Sequence, residues 1–469
     1  MWRHDSQRSA ASPGELPLDL KRHWTLNLGE REQVWDDPLN HDLMPYDRLF
    51  EPIVLGQRMF VAFNDTDKVV AYNLKTGDEL WRFYTDGPVR LPPVGWQNAV
   101  YFVSDDGFLY CVDAANGELT WKFKGAPGAQ KALGNKRLIS AWPARGGPVI
   151  RDGAIYLAAS IWPFMGTFIH ALDAKTGEVV WINDSTSADY IKQPHSAPSF
   201  AGVAPQGAFV ATKDVLLVPG GRSVPAAFNR RTGELLHFRI NDGGKGNGGS
   251  FVIANESEFY VHTRLRGVRA YDMKSGRKGS FTLNEPVLTD DAIYTAAGYS
   301  VKFTQLRRAE ASLASARKAE AAAERDMKTA KGLAATTTAS AKLAAAQGKI
   351  SLAKETIAKA RKTWDGAWQG PVIQAYSPDK KLLWEVEADG LGDLIQSGAR
   401  LYAASSNQVS AIELPRDGAA PTVVWQSPRT GNIERLLSAS GRLIAVTRDG
   451  NIHCFGEGDF HARTDSKRK

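Results

Sequence analysis

Eight residues of the sequence have the types and spacing of a binding site: Trp142 and Arg145, Trp162 and Phe164, Lys192, Gln193 and His195, and Arg222. They fall in segments that separate strand-like stretches, and they combine cationic, amide and aromatic groups. Such a set suits an anionic ligand, because clefts with a few convergent polar groups are the usual ligand sites. Each residue also has a plainer reading. The Trp-Pro pairs at 142–143 and 162–163 stiffen loops, His195 caps a turn, and Arg222 pairs with a carboxylate. Catalysis is not signalled, and no catalytic residue is assigned. No nucleophile motif accompanies His195, and the acidic residues are not grouped with the basic and aromatic ones as a bound divalent cation would require. Cys111 and Cys454 follow Gly107 and Gly450 at the same spacing inside apolar stretches, so they read as small core residues and not as metal ligands. The glycine-rich run Asn241–Gly249 follows no strand-to-helix pattern and reads as a flexible loop, not an anion cradle.

The elements that must position these residues are set by a repeat. Asn73-Leu-Lys-Thr76-Gly77 is followed by Trp81, Asp113-Ala-Ala-Asn116-Gly117 by Trp121, and Asp173-Ala-Lys-Thr176-Gly177 by Trp181. Weaker copies end on Gly233 with His237 in the Trp place, and on Gly276 with Ser280. Asp or Asn bonds the backbone two residues on, and Gly supplies the positive φ that closes the turn, so each copy is a strand–turn–strand signal. Two further strand signals precede each motif, which makes four strands in about 40 residues, the period of a propeller blade. The predicted fold is all-β: an eight-bladed β-propeller of four-stranded antiparallel blades, with seven blades as the alternative count. The last unit, Leu443 to Phe455, stops one strand short. His23–Leu28 carries the outer-strand pattern with no blade before it, and is expected to complete that blade and close the ring. In such a ring the long segments 29–49, 126–146, 161–167, 184–198, 219–225 and 241–249 fall on one face, where function concentrates.

These motifs resemble the PQQ-like repeats of quinoprotein dehydrogenases and of BamB-type outer-membrane assembly lipoproteins. The stretches Tyr84–Arg90, Arg137–Pro143 and Phe200–Gln206 are similar to those of PQQ-like propeller proteins common in planctomycetes. The resemblance implies a periplasmic, cell-envelope or secreted location, and an export signal ahead of a start similar to Trp2-Arg-His-Asp5, of which this chain would be the trimmed form. The chain itself carries no signal peptide, since Met1 to Lys21 is polar, and no apolar run reaches the ~18 residues of a membrane span. For the quinone-dependent reading the resemblance implies PQQ with calcium. Adjacent cysteines over the cofactor, usual in methanol-oxidising relatives, cannot be formed by Cys111 and Cys454.

Between Phe303 and Trp364 the strand pattern gives way to Ala, Lys, Arg and Glu. Leu343, Ile350, Ile357 and Trp364 recur every seven residues with Ala346, Ala353 and Ala360 between them; Leu306, Leu313 and Met327 with Ala309, Ala316, Ala323 and Ala330 match them, and Glu320 interrupts the seam. An inserted antiparallel α-helical hairpin, a coiled coil roughly 35–40 Å long at ~1.5 Å per residue, is expected, with Gly332–Thr338 reversing the chain. The domain plan is therefore an N-terminal extension at 1–22, propeller at 23–303, hairpin at 304–364, propeller again at 365–456, and a polar tail at 457–469. From Gln305 to Trp364 there are 13 Lys or Arg against 5 Asp or Glu, while the whole chain carries +7, so the remainder is near neutral. Either the lysines only solubilise an alanine-rich arm, or the basic hairpin 305–364 docks on a protein, a glycan or an anionic membrane surface. Nucleic acid is disfavoured, because no aromatic or Gly-rich binding pattern accompanies the basic residues. Two functions follow: a non-catalytic binding or scaffold module needing no cofactor, or a PQQ-dependent dehydrogenase of alcohols or sugars.

Overall fold

Each Asx-Gly motif closes a turn between the third and fourth strands of a blade. Asn73 Oδ1 accepts from the amides of Lys75 and Thr76 at 2.8 and 3.2 Å, and Gly77 (φ +76°) donates to the Asn73 carbonyl. The computed structural model describes residues 1–33, 47–134, 137–192, 197–220, 223–239, 247–263, 267–364, 366, 368–415 and 419–458. It contains eight four-strand blades, whose first strands are Ile53–Leu55, Val94–Trp96, Gly146–Arg151, Val210–Ala211, Asn247–Ala254, Val287–Leu288, Asp393–Ser397 and Ile433–Ala439. Second and third strands are buried on both sides, as in Arg58–Phe63 and Lys68–Asn73, because neighbouring blades cover both faces. Fourth strands such as Glu79–Tyr84 alternate half-buried and exposed residues.

The repeated Trp and Gly form one latch. A β-bulge precedes Trp81, Trp121 and Trp181 and re-aims each side chain toward the next blade. There the indole N–H donates to the carbonyls of Ala114, Lys175 and Arg230 at 3.1–3.2 Å. The ring lies flat on the next blade's turn glycine. A Cβ on Gly117 would stand 2.7 Å from Trp81, and one on Gly177 2.9 Å from Trp121. Glycine is thus required twice, by its positive φ and by the close approach of the ring. His237 takes the Trp place in blade 4, with Nε2 2.8 Å from the Met273 carbonyl.

Ring closure follows the expected route. Leu20–Asn27 pairs antiparallel with Asn451–Glu457 as the fourth strand of blade 8. Its Trp24 donates to the Leu74 carbonyl of blade 1, and Trp425 of blade 7 donates to its Leu20 carbonyl. Cys111 and Cys454 are buried and free.

The chain divides into two compact units, with Ala297–Ile373 and Glu385–Asp389 forming the second. That unit holds two antiparallel helices, α1 (Val301–Thr329) and α2 (Leu333–Thr363), inserted between the second and third strands of blade 6. Ser300 caps α1 by accepting from the Phe303 amide. Ala309, Ala316 and Ala323 face Ala339, Ala346, Ala353 and Ala360, all buried, and the Phe303 and Trp364 rings meet at 5.2 Å. The helices are longer than the expected 35–40 Å, at about 45 Å for ~30 residues. The reversal uses only Ala330–Gly332, since Thr336, Thr337 and Thr338 are helical and donate their hydroxyls to the carbonyls four residues back.

Candidate functional site

First strands of a propeller line its axis and leave an inward row of amides without a sheet partner. Here the segment Met1–Ser12 supplies the partners. Its carbonyls accept from the first strands of four successive blades: Ser6 from Ala211, Gln7 from Ala254, Ser9 from Leu288 and Ala10 from Gln396, at 2.9–3.0 Å. Ala11–Ser12 then runs parallel to Gln396–Ser397. To follow this path Arg3, His4, Arg8 and Ala10 adopt positive φ of 49°, 80°, 63° and 60°. Such conformations cost of order 1 kcal/mol or more per residue and persist only where the surroundings enforce them.

The described residues hold two buried charge networks, of which the first includes this segment. In the first, Arg3 contacts Glu285 at 3.4 Å and Asp393 at 3.1 Å and donates to the Pro286 carbonyl. Arg435 contacts Glu51 at 3.0 Å and both Glu285 and Asp393 at 3.3 Å. Trp2 Nε1 donates to Glu51 at 2.6 Å, and His262 Nε2 lies 2.8 Å from Glu285 Oε1 with Phe251 stacked on its ring. Burial opposes ionisation of Glu285, but Arg435, His262 and Arg3 outweigh it and hold the carboxyl well below its ordinary range. Glu51 is shifted the other way, because burial exceeds what Arg435 and Trp2 return. Glu285 keeps 24% of its side-chain surface, against 11% or less for Arg3, Arg435, Glu51 and Asp393, and is the most exposed of these five. Arg8 is fully buried and, among the described residues, donates to the carbonyls of Trp2, Pro148 and Phe209; burial lowers its pKa to about 10.

In the second network Asp105 accepts twice from Arg145, both at 2.7 Å, and once from Arg90 at 2.6 Å. Arg90 continues to Asp47 at 2.8 Å, which Arg31 approaches at 3.6 Å. Burial raises the Asp47 pKa to about 6 against the pull of Arg31 and Arg90.

The eight sequence-selected residues are thus distributed unevenly. Arg145 is buried and its charge is matched by Asp105. Trp142 donates to the Met165 carbonyl at 2.8 Å, joining it to the 3-10 turn Pro163–Met165 that Trp162 caps and on which Phe164 is exposed. Lys192 is exposed on a separate hairpin, and Gln193, His195 and Arg222 lie outside the described residues. Arg145 apart, the residues of the two networks were not selected from sequence. One signal existed: Glu51, Arg90, Arg145, Glu285 and Asp393 each stand at or just before a first strand, the same blade position repeated with charge.

The axial carboxylates are each tied to Arg3 or Arg435, Trp2 stands among them, and the described residues hold no group of three His, Cys, Asp or Glu arranged for a metal. No helix of the described residues is long and apolar enough to cross a membrane.

Known proteins share the ring. The chain is 25% identical over 48% of its length to tetrathionate hydrolase of Acidithiobacillus ferrooxidans, matching 42% of that protein. It is 28% identical over 37% of its length to the dehydrogenase subunit of the quinone alcohol dehydrogenase of Gluconobacter oxydans, matching 23% of that subunit. The chain thus aligns with less than half the length of these curated relatives. Among solved structures, BamB from Moraxella catarrhalis superimposes over 94% of this chain and 100% of its own, with a TM-score of 0.50 and 14% identity. The quinohemoprotein alcohol dehydrogenase of Comamonas testosteroni covers 99% of this chain and 82% of its own, with a TM-score of 0.52 and 14% identity. The family model for outer membrane protein assembly factor BamB matches residues 21–150 and 165–456, and with the eight blades and their Trp–Gly latches this makes the chain a member of that PQQ-like propeller family.

Proposed function

We propose that this protein is a non-catalytic propeller acting as a binding or scaffold module in the cell envelope, with its partner on the loop-bearing face. The observation that carries the reading is the filled axis. Met1–Ser12 bonds the first strands there, and Arg3 and Arg435 engage axial carboxylates that could otherwise ligate a cation. The likeness to BamB, an assembly factor, favours a protein partner. The basic surplus of the helical arm suits an anionic surface such as lipid headgroups, acidic glycan or an acidic protein.

Similarity to quinone alcohol dehydrogenases over part of the chain favours the second reading, a PQQ-dependent dehydrogenase of alcohols or sugars. The two are separated by titrating the purified protein with PQQ and calcium in a calorimeter and assaying dye reduction with a panel of alcohols and sugars. The scaffold reading expects neither heat of binding nor turnover. Calcium-dependent micromolar binding together with dye reduction would establish the dehydrogenase instead.

A further inference from the structure

The connections leaving blades 2 and 3 each fold into a two-stranded antiparallel hairpin, Lys131–Gly134 with Arg137–Ser140, and Asp189–Lys192 with Pro198–Ala201. Both lie on the loop-bearing face, since fourth strands end there. The pleat of the first hairpin sorts its side chains. On its inner face Ile139 is buried, and Arg137 reaches the Asp65 carbonyl and the Asp67 carboxylate of blade 1. On its outer face Leu133 stands directly opposite Leu138, and they are 81% and 59% exposed. A half-covered hairpin ordinarily turns polar residues outward. The second hairpin repeats the arrangement: Tyr190 is opposite Phe200, the rings 5.1 Å apart, 64% and 63% exposed.

Phe164 joins the two. Its 3-10 turn is held to the exit of the first hairpin by the Trp142–Met165 hydrogen bond, and the Pro198–Ala201 strand lies against it. Phe164 is itself 73% exposed. Clustered apolar side chains of this size, standing out of the surface instead of lining a groove, mark an interaction site. Charge identifies the partner. From Thr120 to Arg151 the chain carries seven Lys or Arg and no Asp or Glu. Arg137 and Arg145 are taken up by Asp67 and Asp105, whereas exposed Lys124 and Lys131 have no anionic partner among the described residues; Lys131 shares the outer face of the first hairpin with Leu133.

We propose that this side of the loop-bearing face docks on an anionic phospholipid bilayer, with Leu133, Leu138, Phe164, Tyr190 and Phe200 entering the interfacial layer and Lys124 and Lys131 facing the headgroups. Protruding apolar side chains, flanked at the first hairpin by Lys124 and Lys131, match a soft, negatively charged boundary, which needs no complementary cavity. The proposal rests on the reading of the protein as a binding module and is tested separately from it.

The full chain is floated with vesicles of phosphatidylcholine alone and of phosphatidylcholine mixed with phosphatidylglycerol, at low and high salt. Binding is expected only to the mixed vesicles and to weaken with salt. The double variant Leu133→Ser/Leu138→Ser and, separately, Lys124→Glu/Lys131→Glu should each reduce it by on the order of tenfold or more, with an unchanged thermal transition. Leu333→Ser, at the exposed turn of the helical arm, should leave it intact. Absence of phosphatidylglycerol-dependent binding, or binding that the leucine and lysine variants retain while Leu333→Ser loses it, overturns the proposal. The scaffold reading would survive either result, because it stands on the calcium–PQQ titration.

Discussion

Glu285 shows how a buried ion network becomes a pH response. Its carboxyl contacts Arg3, Arg435 and His262, and their charge holds the folded-state pKa below the ordinary value of 4.5 despite burial. A depressed carboxyl contributes stability that is present above the unfolded value and is lost as pH falls through the folded one. Glu285→Gln should therefore be less stable near neutral pH, and its stability should fall less steeply than wild type below about pH 4.5. Urea unfolding across that range measures the difference, and parallel profiles for the two proteins would refute the role given to Glu285. Removing the central cation is the harsher change: Arg435→Ala leaves Glu51, Asp393 and Glu285 facing one another and should cost about 3–5 kcal/mol. The residues chosen from sequence alone fared differently. Arg145 was legible as a functional type but not as a paired one, because Asp105 is brought to it only when blades 2 and 3 meet.

Between elements, the Trp–Gly latch transmits order from blade to blade. The turn itself was legible, since Asx-x-x-x-Gly dictates its own hydrogen bonds. The partner of the Trp was not, being supplied by the following repeat. The latch makes a graded prediction. Gly56→Ala meets open space and carries only the penalty of its φ of +61°, about 1 kcal/mol. Gly117→Ala carries that penalty and also drives a methyl into the Trp81 ring, so it should cost about 1–3 kcal/mol more. Equal thermal stability of the two variants would show that the ring contact is not a packing constraint. The helical arm was legible from its seven-residue alanine pattern, but its length was misjudged because three consecutive threonines suggest a turn. Donation of each hydroxyl to the carbonyl four residues back lets them stay helical.

For the molecule as a whole, the N-terminal part of the chain closes the ring twice. Leu20–Asn27 completes the last blade, and Met1–Ser12 pairs the axial amides of blades 4 to 7. The two closures should separate by truncation. Removal through Leu28 opens the outer edge of blade 8 and should cause aggregation. Removal of residues 1–12 keeps that strand but leaves Asp393, Glu51 and Glu285 with Arg435 as their only arginine among the contacts above, and should give a soluble ring of lower melting temperature. A synthetic peptide of residues 1–12 should then restore stability in proportion to its concentration. A truncated protein that melts like the full chain, or ignores the peptide, would show that the axial segment is not a stabilising part of the ring.

The sequence by itself determined the propeller, its four-strand period, the closing strand and the helical insertion, and the structure decided between eight blades and seven in favour of eight. Each of the sequence-determined features is written as a local pattern: a turn signal, an alternation or a seven-residue spacing acts on the residues that carry it. Only the tertiary structure decided what lies on the axis. The contacts of Arg3 with Glu285 and Asp393 join residues 282 and 390 positions apart, and no periodicity links them. A polar first segment reads as an extension until the ring surrounds it. Then the unpaired inward amides of four blades and three buried carboxylates fix where it must run, because leaving those groups without partners costs more than the strained backbone that reaches them.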